Sequence, residues 1–125
     1  MELDKTIREN LDGEYLTIHV ENFKEGVEYA AQKKLQQIHL IGGRAKNVIV
    51  DFKELNKLSE TLQDISFIQD IGNVINFESI YNLKEMRKIY IHDKQKFTFD
   101  VSRFTKLQHL GGDYWNGLIN LDKAL

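Results

Sequence analysis

Four histidines, His19, His39, His92 and His109, are the residues of this chain best equipped for chemistry. Imidazole ligates zinc and exchanges a proton near neutral pH. Carboxylates stand near in sequence or register: Asp113 lies four residues after His109, and Asp64 falls opposite Lys88 if their segments pair as strands. An Asp113–His109 dyad would need a nucleophile, and none is evident. There is no cysteine, hence neither thiolate chemistry nor a Cys-based metal site. Ile41-Gly42-Gly43-Arg44 lacks the lysine and spacing of a phosphate-binding loop, and neither a nucleophile elbow nor His-Glu-x-x-His occurs. We therefore expect no catalysis, and whether the histidines act together depends on the elements that carry them.

Those elements follow a repeated phrase, apolar-x-x-apolar-x-apolar. It runs Leu35-Gln36-Gln37-Ile38-His39-Leu40, Leu62-Gln63-Asp64-Ile65-Ser66-Phe67 and Met86-Arg87-Lys88-Ile89-Tyr90-Ile91, with a weaker copy from Leu107 to Gly112. The starts are 27, 24 and 21 residues apart, a spacing that implies stacked repeats. Alternation in these halves predicts half-buried strands. The second halves, such as Phe52-Lys53-Glu54-Leu55-Asn56-Lys57-Leu58 and Phe77 to Leu83, place apolar residues three apart, which suits a helical or 3₁₀ turn. Tyr15 to Val20 reads as a further strand, Asn22 to Lys34 as a helical segment, and residues 1–11 as a short helix or strand covering the first edge. Gly42-Gly43 and Gly111-Gly112 mark turns.

A strand and a short helical turn per repeat resembles a small, irregular leucine-rich-repeat protein of bacterial type. The resemblance spans residues 14–125 and implies an α/β solenoid: a parallel sheet of about five short strands with helical or 3₁₀ turns opposite. It implies one domain over 1–125, with 1–35 a divergent N-terminal coil or cap and 35–125 the repeats. The chain departs from the family where an asparagine is usual; Gly43, Asp70, Lys94 and Trp115 stand there, and only Asp70 could substitute. Leu118–Leu125 looks like the lead into another strand, so it either caps the fourth phrase, pairs with another molecule, or continues in a longer chain.

Strand alternation sorts the side chains into two faces. The outward set is Tyr15, Thr17 and His19; Gln37, His39 and Ile41; Asp64, Ser66 and Ile68; Lys88, Tyr90 and His92; and His109, Gly111 and Asp113. All four histidines fall on this face, with Tyr114 and Trp115 at its margin. His19 and His92 would share a column but stand three strands, on the order of 14 Å, apart. That is too far for ligands that must each lie ~2 Å from one zinc ion, so we expect no metal and no cofactor. Asp64 and Lys88 are expected to form a simple salt bridge.

Tyrosine and tryptophan dominate binding hot spots. The expected site is thus a protein-binding face made of Tyr15, His19, His39, Ile41, Ile68, Lys88, Tyr90, His92, His109, Asp113, Tyr114 and Trp115. The net charge of −2 argues against a nucleic-acid partner, and no apolar run approaches the ~20 residues of a membrane span. The first ten residues mix charges and lack the apolar core of a secretory signal, so a cytoplasmic protein is expected. Charge is polarised: residues 1–35 carry five basic against eight acidic groups, and residues 84–125 carry eight against five. The functional expectation is a non-enzymatic protein-binding module, with an immunity- or antitoxin-like inhibitor of a toxin as its version by family analogy. The alternative is a self-associating solenoid that stacks through its C-terminal coil.

Overall fold

Gly13 sets the first turn of the sheet. Its φ of +116° follows Leu11-Asp12, and the Asp12 N–H donates to Asn10 Oδ1 at 2.9 Å to close an Asx turn. Strand β1 (Ile7–Asn10) therefore folds back antiparallel on β2 (Gly13–His19), Ile7 opposite Leu16 and Asn10 opposite Gly13. The computed structural model describes residues 2–42, 47–113 and 115–124. Expectations that fall on Gly43, Tyr114 and Leu125 lie outside the described residues.

After β2 come helix α1 (Phe23–Gln32), β3 (Gln37–Ile41), β4 (Ile49–Asp51), β5 (Asp64–Phe67), β6 (Asn73–Ile75) and β7 (Lys88–Ile91). Strands β8 (Phe99–Asp100), β9 (His109–Gly112) and β10 (Leu118–Ile119) complete the order. The main sheet runs β1-β2-β3-β5-β7-β9, while β4 pairs β6 and β8 pairs β10 in two separate small sheets. From β2 to β9 the main sheet is parallel, with Tyr15, Gln37, Asp64, Lys88 and His109 in one row.

The expected leucine-rich-repeat-like solenoid is not what the chain forms. It is a small α/β domain: a mixed six-stranded sheet with one antiparallel pair, plus two two-stranded sheets. The physical reason lies in the connections, which differ in kind. A ten-residue α-helix follows β2, a seven-residue 3₁₀ stretch follows β4, and only three 3₁₀ residues, Val101–Arg103, follow β8. Just before the expected 3₁₀ turns, Ile49–Asp51 and Phe99–Asp100 supply the short strands β4 and β8.

The inward row of the main sheet is fully buried: Leu16, Ile18, Ile38, Leu40, Ile65, Phe67, Ile89 and Ile91. Against it packs a run of aromatic rings. Phe23 meets Phe52 at 5.8 Å, Phe52 meets Phe77 at 5.6 Å and Phe77 stacks on Phe97 at 4.3 Å between centroids. Burying rings of this size dominates the apolar stabilisation of the core. Gln95 is a polar member of the interior: its Nε2 donates to the Gln69 and Asp93 carbonyls, and its Oε1 accepts from Ile71 N–H at 3.0 Å. Among the described residues no helix is long and apolar enough to cross a membrane.

Candidate functional site

The residues that alternate with the inward row form the opposite face, and all but Gln37 are half-buried or exposed. Pleating puts them there, because each flanks a core residue. Rows continue past the strand ends: Ile68 N–H donates to Leu40 O at 2.8 Å, His92 N–H to Phe67 O at 2.8 Å, and Asp113 N–H to Ile91 O at 2.6 Å.

The β1–β2 hairpin tip leans over this face. Asp12 Oδ2 accepts from Lys88 Nζ at 2.6 Å, although β7 stands three strands from β2 in the sheet. Asn10 supports the same posture: its amide nitrogen donates to Gln37 Oε1 at 2.9 Å, and its oxygen accepts from Gln37 Nε2 at 3.1 Å. Lys88 thus pairs with Asp12, not with Asp64 as its row position had suggested. Tip and strand enclose a recess of about 220 Å³ whose walls include Asp12, His39, Asp64, Ser66, Tyr90 and His92.

Two ring pairs line the recess or flank it. Tyr15 stacks on His39 with centroids 4.0 Å apart and planes 15° from parallel. His39 Nε2 lies 3.0 Å from Gln37 Oε1. Burial, and secondarily His92, hold the His39 imidazole below its ordinary pKa of 6.5. Tyr90 lies 4.5 Å from His92 and leans over Gly111, where a β-carbon would come within 3.1 Å of its ring. Asp64 is pushed above its ordinary 3.8, first by burial and then by the negative charge of Asp12, against the pull of Lys88, Arg87 and His109.

The sequence-predicted residues divide into three groups. His39, Ile68, Lys88, Tyr90 and His92 line the recess together, and Tyr15 adjoins it through His39. His19, Ile41, His109 and Asp113 lie on the same face outside the recess, His109 and Asp113 being exposed. Trp115 is set apart: its ring packs against Phe97 at 6.3 Å and belongs to the rim of the core. Tyr114 lies outside the described residues. Among the described residues no group of three or more His, Asp or Glu side chains is placed to hold a metal ion.

Asn10, Leu11 and Asp12 were missed. Their signal was the Asn10-x-Asp12-Gly13 turn, which predicts a hairpin. Leu11 at its tip is fully exposed.

Compared with protein-family models, with curated proteins and with solved structures, the chain matches none.

Proposed function

We propose that this chain is a non-enzymatic protein-binding module that engages its partner through the outward strand face. The observation that carries the reading is the recess between the hairpin tip and β7. There one face of the sheet gathers paired aromatic and imidazole rings around polar groups, with the fully exposed Leu11 beside it. Aromatic anchors around a partly enclosed pocket are what a binding hot spot requires. The reading places the protein in the cytoplasm.

Affinity capture tests this with three proteins: wild type, a Tyr90→Ala/His92→Ala variant, and Lys53→Ala as a control in the 3₁₀ stretch Phe52–Leu58. Circular dichroism verifies that each is folded. A stoichiometric partner retained by Lys53→Ala and lost by the double variant supports the strand face. Retention by all three proteins overturns it. A toxin captured in a one-to-one complex would establish the narrower immunity- or antitoxin-like form.

A second reading, self-association through the C-terminal segment, is favoured by the exposed Ile119 and Leu121. Sedimentation across a concentration series tests it, and an Ile119→Ser/Leu121→Ser variant should then stay monomeric.

A further inference from the structure

Lys88 does not hydrogen-bond the second acid of the recess, Asp64. Its ammonium is committed to Asp12 at 2.6 Å, and among the described residues no donor hydrogen-bonds the Asp64 carboxylate. That carboxylate is half-buried in a hollow that the chain does not fill. Its oxygens stay open to solvent, and a partly desolvated carboxylate with no donor from the protein gains from an incoming cation that brings donors of its own.

Tyr90 bears on the shape of that cation. Asp64 pairs with Lys88 and Ser66 with Tyr90 across β5 and β7, so Asp64 and Tyr90 are diagonal neighbours, about 7–8 Å apart at the backbone. The Tyr90 ring rests over Gly111, whose missing side chain lets it lie there, and His92 packs at its side. A planar guanidinium can bind a carboxylate through its fork while one face rests on an aromatic ring; an ammonium presents no such plane. Of the cations that already bear on Asp64, Lys88 is balanced by Asp12 while Arg87 and His109 remain to be met by the guanidinium, and burial favours the neutral His39 imidazole.

We propose that the recess receives an arginine side chain of the protein partner, its guanidinium paired with Asp64 and laid against Tyr90. The proposal rests on the strand-face reading and specifies the partner's chemistry.

The probe is N-acetyl-arginine amide, titrated into the isotope-labelled chain and followed by amide and aromatic NMR shifts. Saturable shifts centred on Asp64, Ser66 and Tyr90 are expected, with dissociation on the order of millimolar for so small a ligand. N-acetyl-citrulline amide, which keeps the shape and loses the charge, should give none. Asp64→Asn should weaken the arginine probe roughly tenfold or more while its melting temperature holds or rises, because a carboxylate penalised by burial has been removed. Absence of saturable shifts, equal binding of N-acetyl-lysine amide, or unchanged binding by Asp64→Asn would overturn the assignment. These results are independent of partner capture. A partner lost with Tyr90→Ala/His92→Ala but kept by Asp64→Asn sinks the arginine assignment and leaves the strand face standing.

Discussion

Asn76 donates its side-chain amide to Asp51 Oδ1 at 2.9 Å across 25 residues of sequence, joining the residue after β6 to the last residue of β4. The same carboxylate accepts the Lys53 N–H at 2.9 Å and so caps the 3₁₀ stretch that follows. The arrangement recurs: Asp100 accepts the Ser102 hydroxyl at 2.6 Å and the Ser102 N–H at 3.1 Å, and Asn120 also bonds to it. Asn76 and Asn120 adopt left-handed backbone, with φ of 53° and 60°, a conformation asparagine tolerates better than most residues.

Both aspartates are held below their ordinary 3.8, Asp51 chiefly by Asn76 and Asp100 chiefly by Ser102. Their stabilisation is complete above that value and is lost as pH falls through the folded pKa. Urea midpoints measured from about pH 5 down to about pH 2 should decline in the wild type. An Asp51→Asn/Asp100→Asn variant should decline less steeply.

His39 contributes with the same sign in a higher window. Its folded pKa lies below 6.5, so the unfolded chain binds the proton first, and stability falls as pH drops from 6.5 towards the folded value. His39→Gln should remove that share of the slope. Denaturation of the two proteins at about pH 7.5 and about pH 5.5 measures the difference.

Gln95 closes three backbone groups at once and is only 5% exposed. Gln95→Leu keeps the bulk but strands Ile71 N–H and two carbonyls, at an expected loss of about 2–3 kcal/mol. Gln95→Glu should also destabilise, since a carboxylate cannot donate to the two carbonyls. Chemical denaturation gives both values.

Gly112 ends β9 with φ +103°, and a β-carbon there would collide with the Ile91 carbonyl oxygen. Gly112→Ala should cost on the order of 2 kcal/mol or more. Amide exchange should show the loss first along the β7–β9 ladder, where Gly112 pairs with Ile91.

Period-two alternation exposed one aspect of the fold well. Leu16, Ile38, Ile65 and Ile89 could be placed inward, and Thr17, His39, Ser66 and Tyr90 opposite them, because a strand offers only two sides. What joins the strands was half legible: apolar residues three apart predict a helical or 3₁₀ turn, and Phe52–Leu58 and Phe77–Asn82 form one. The strands just before them, Ile49–Asp51 and Asn73–Ile75, are three residues each, too short to show alternation, and exist by pairing with each other. Gln95, which makes three backbone bonds, carried no signal, because a buried glutamine in a loop has no periodicity to betray it. The recess was only half legible. Its floor follows from alternation, but its wall, Asp12, comes from a hairpin tip whose lean over the sheet leaves no periodic trace.

The Asp12–Lys88 ion pair joins residues 76 positions apart in the chain. Closing so long a loop is entropically unfavourable until the intervening strands have brought the ends together. The hairpin can form on its own, and Asn10 can settle on Gln37 once β3 lies beside β2, yet Asp12 has no Lys88 to meet until β5 and β7 follow. The recess is therefore among the last parts of the molecule to come into being, and a chain that has stalled at β5 cannot present it.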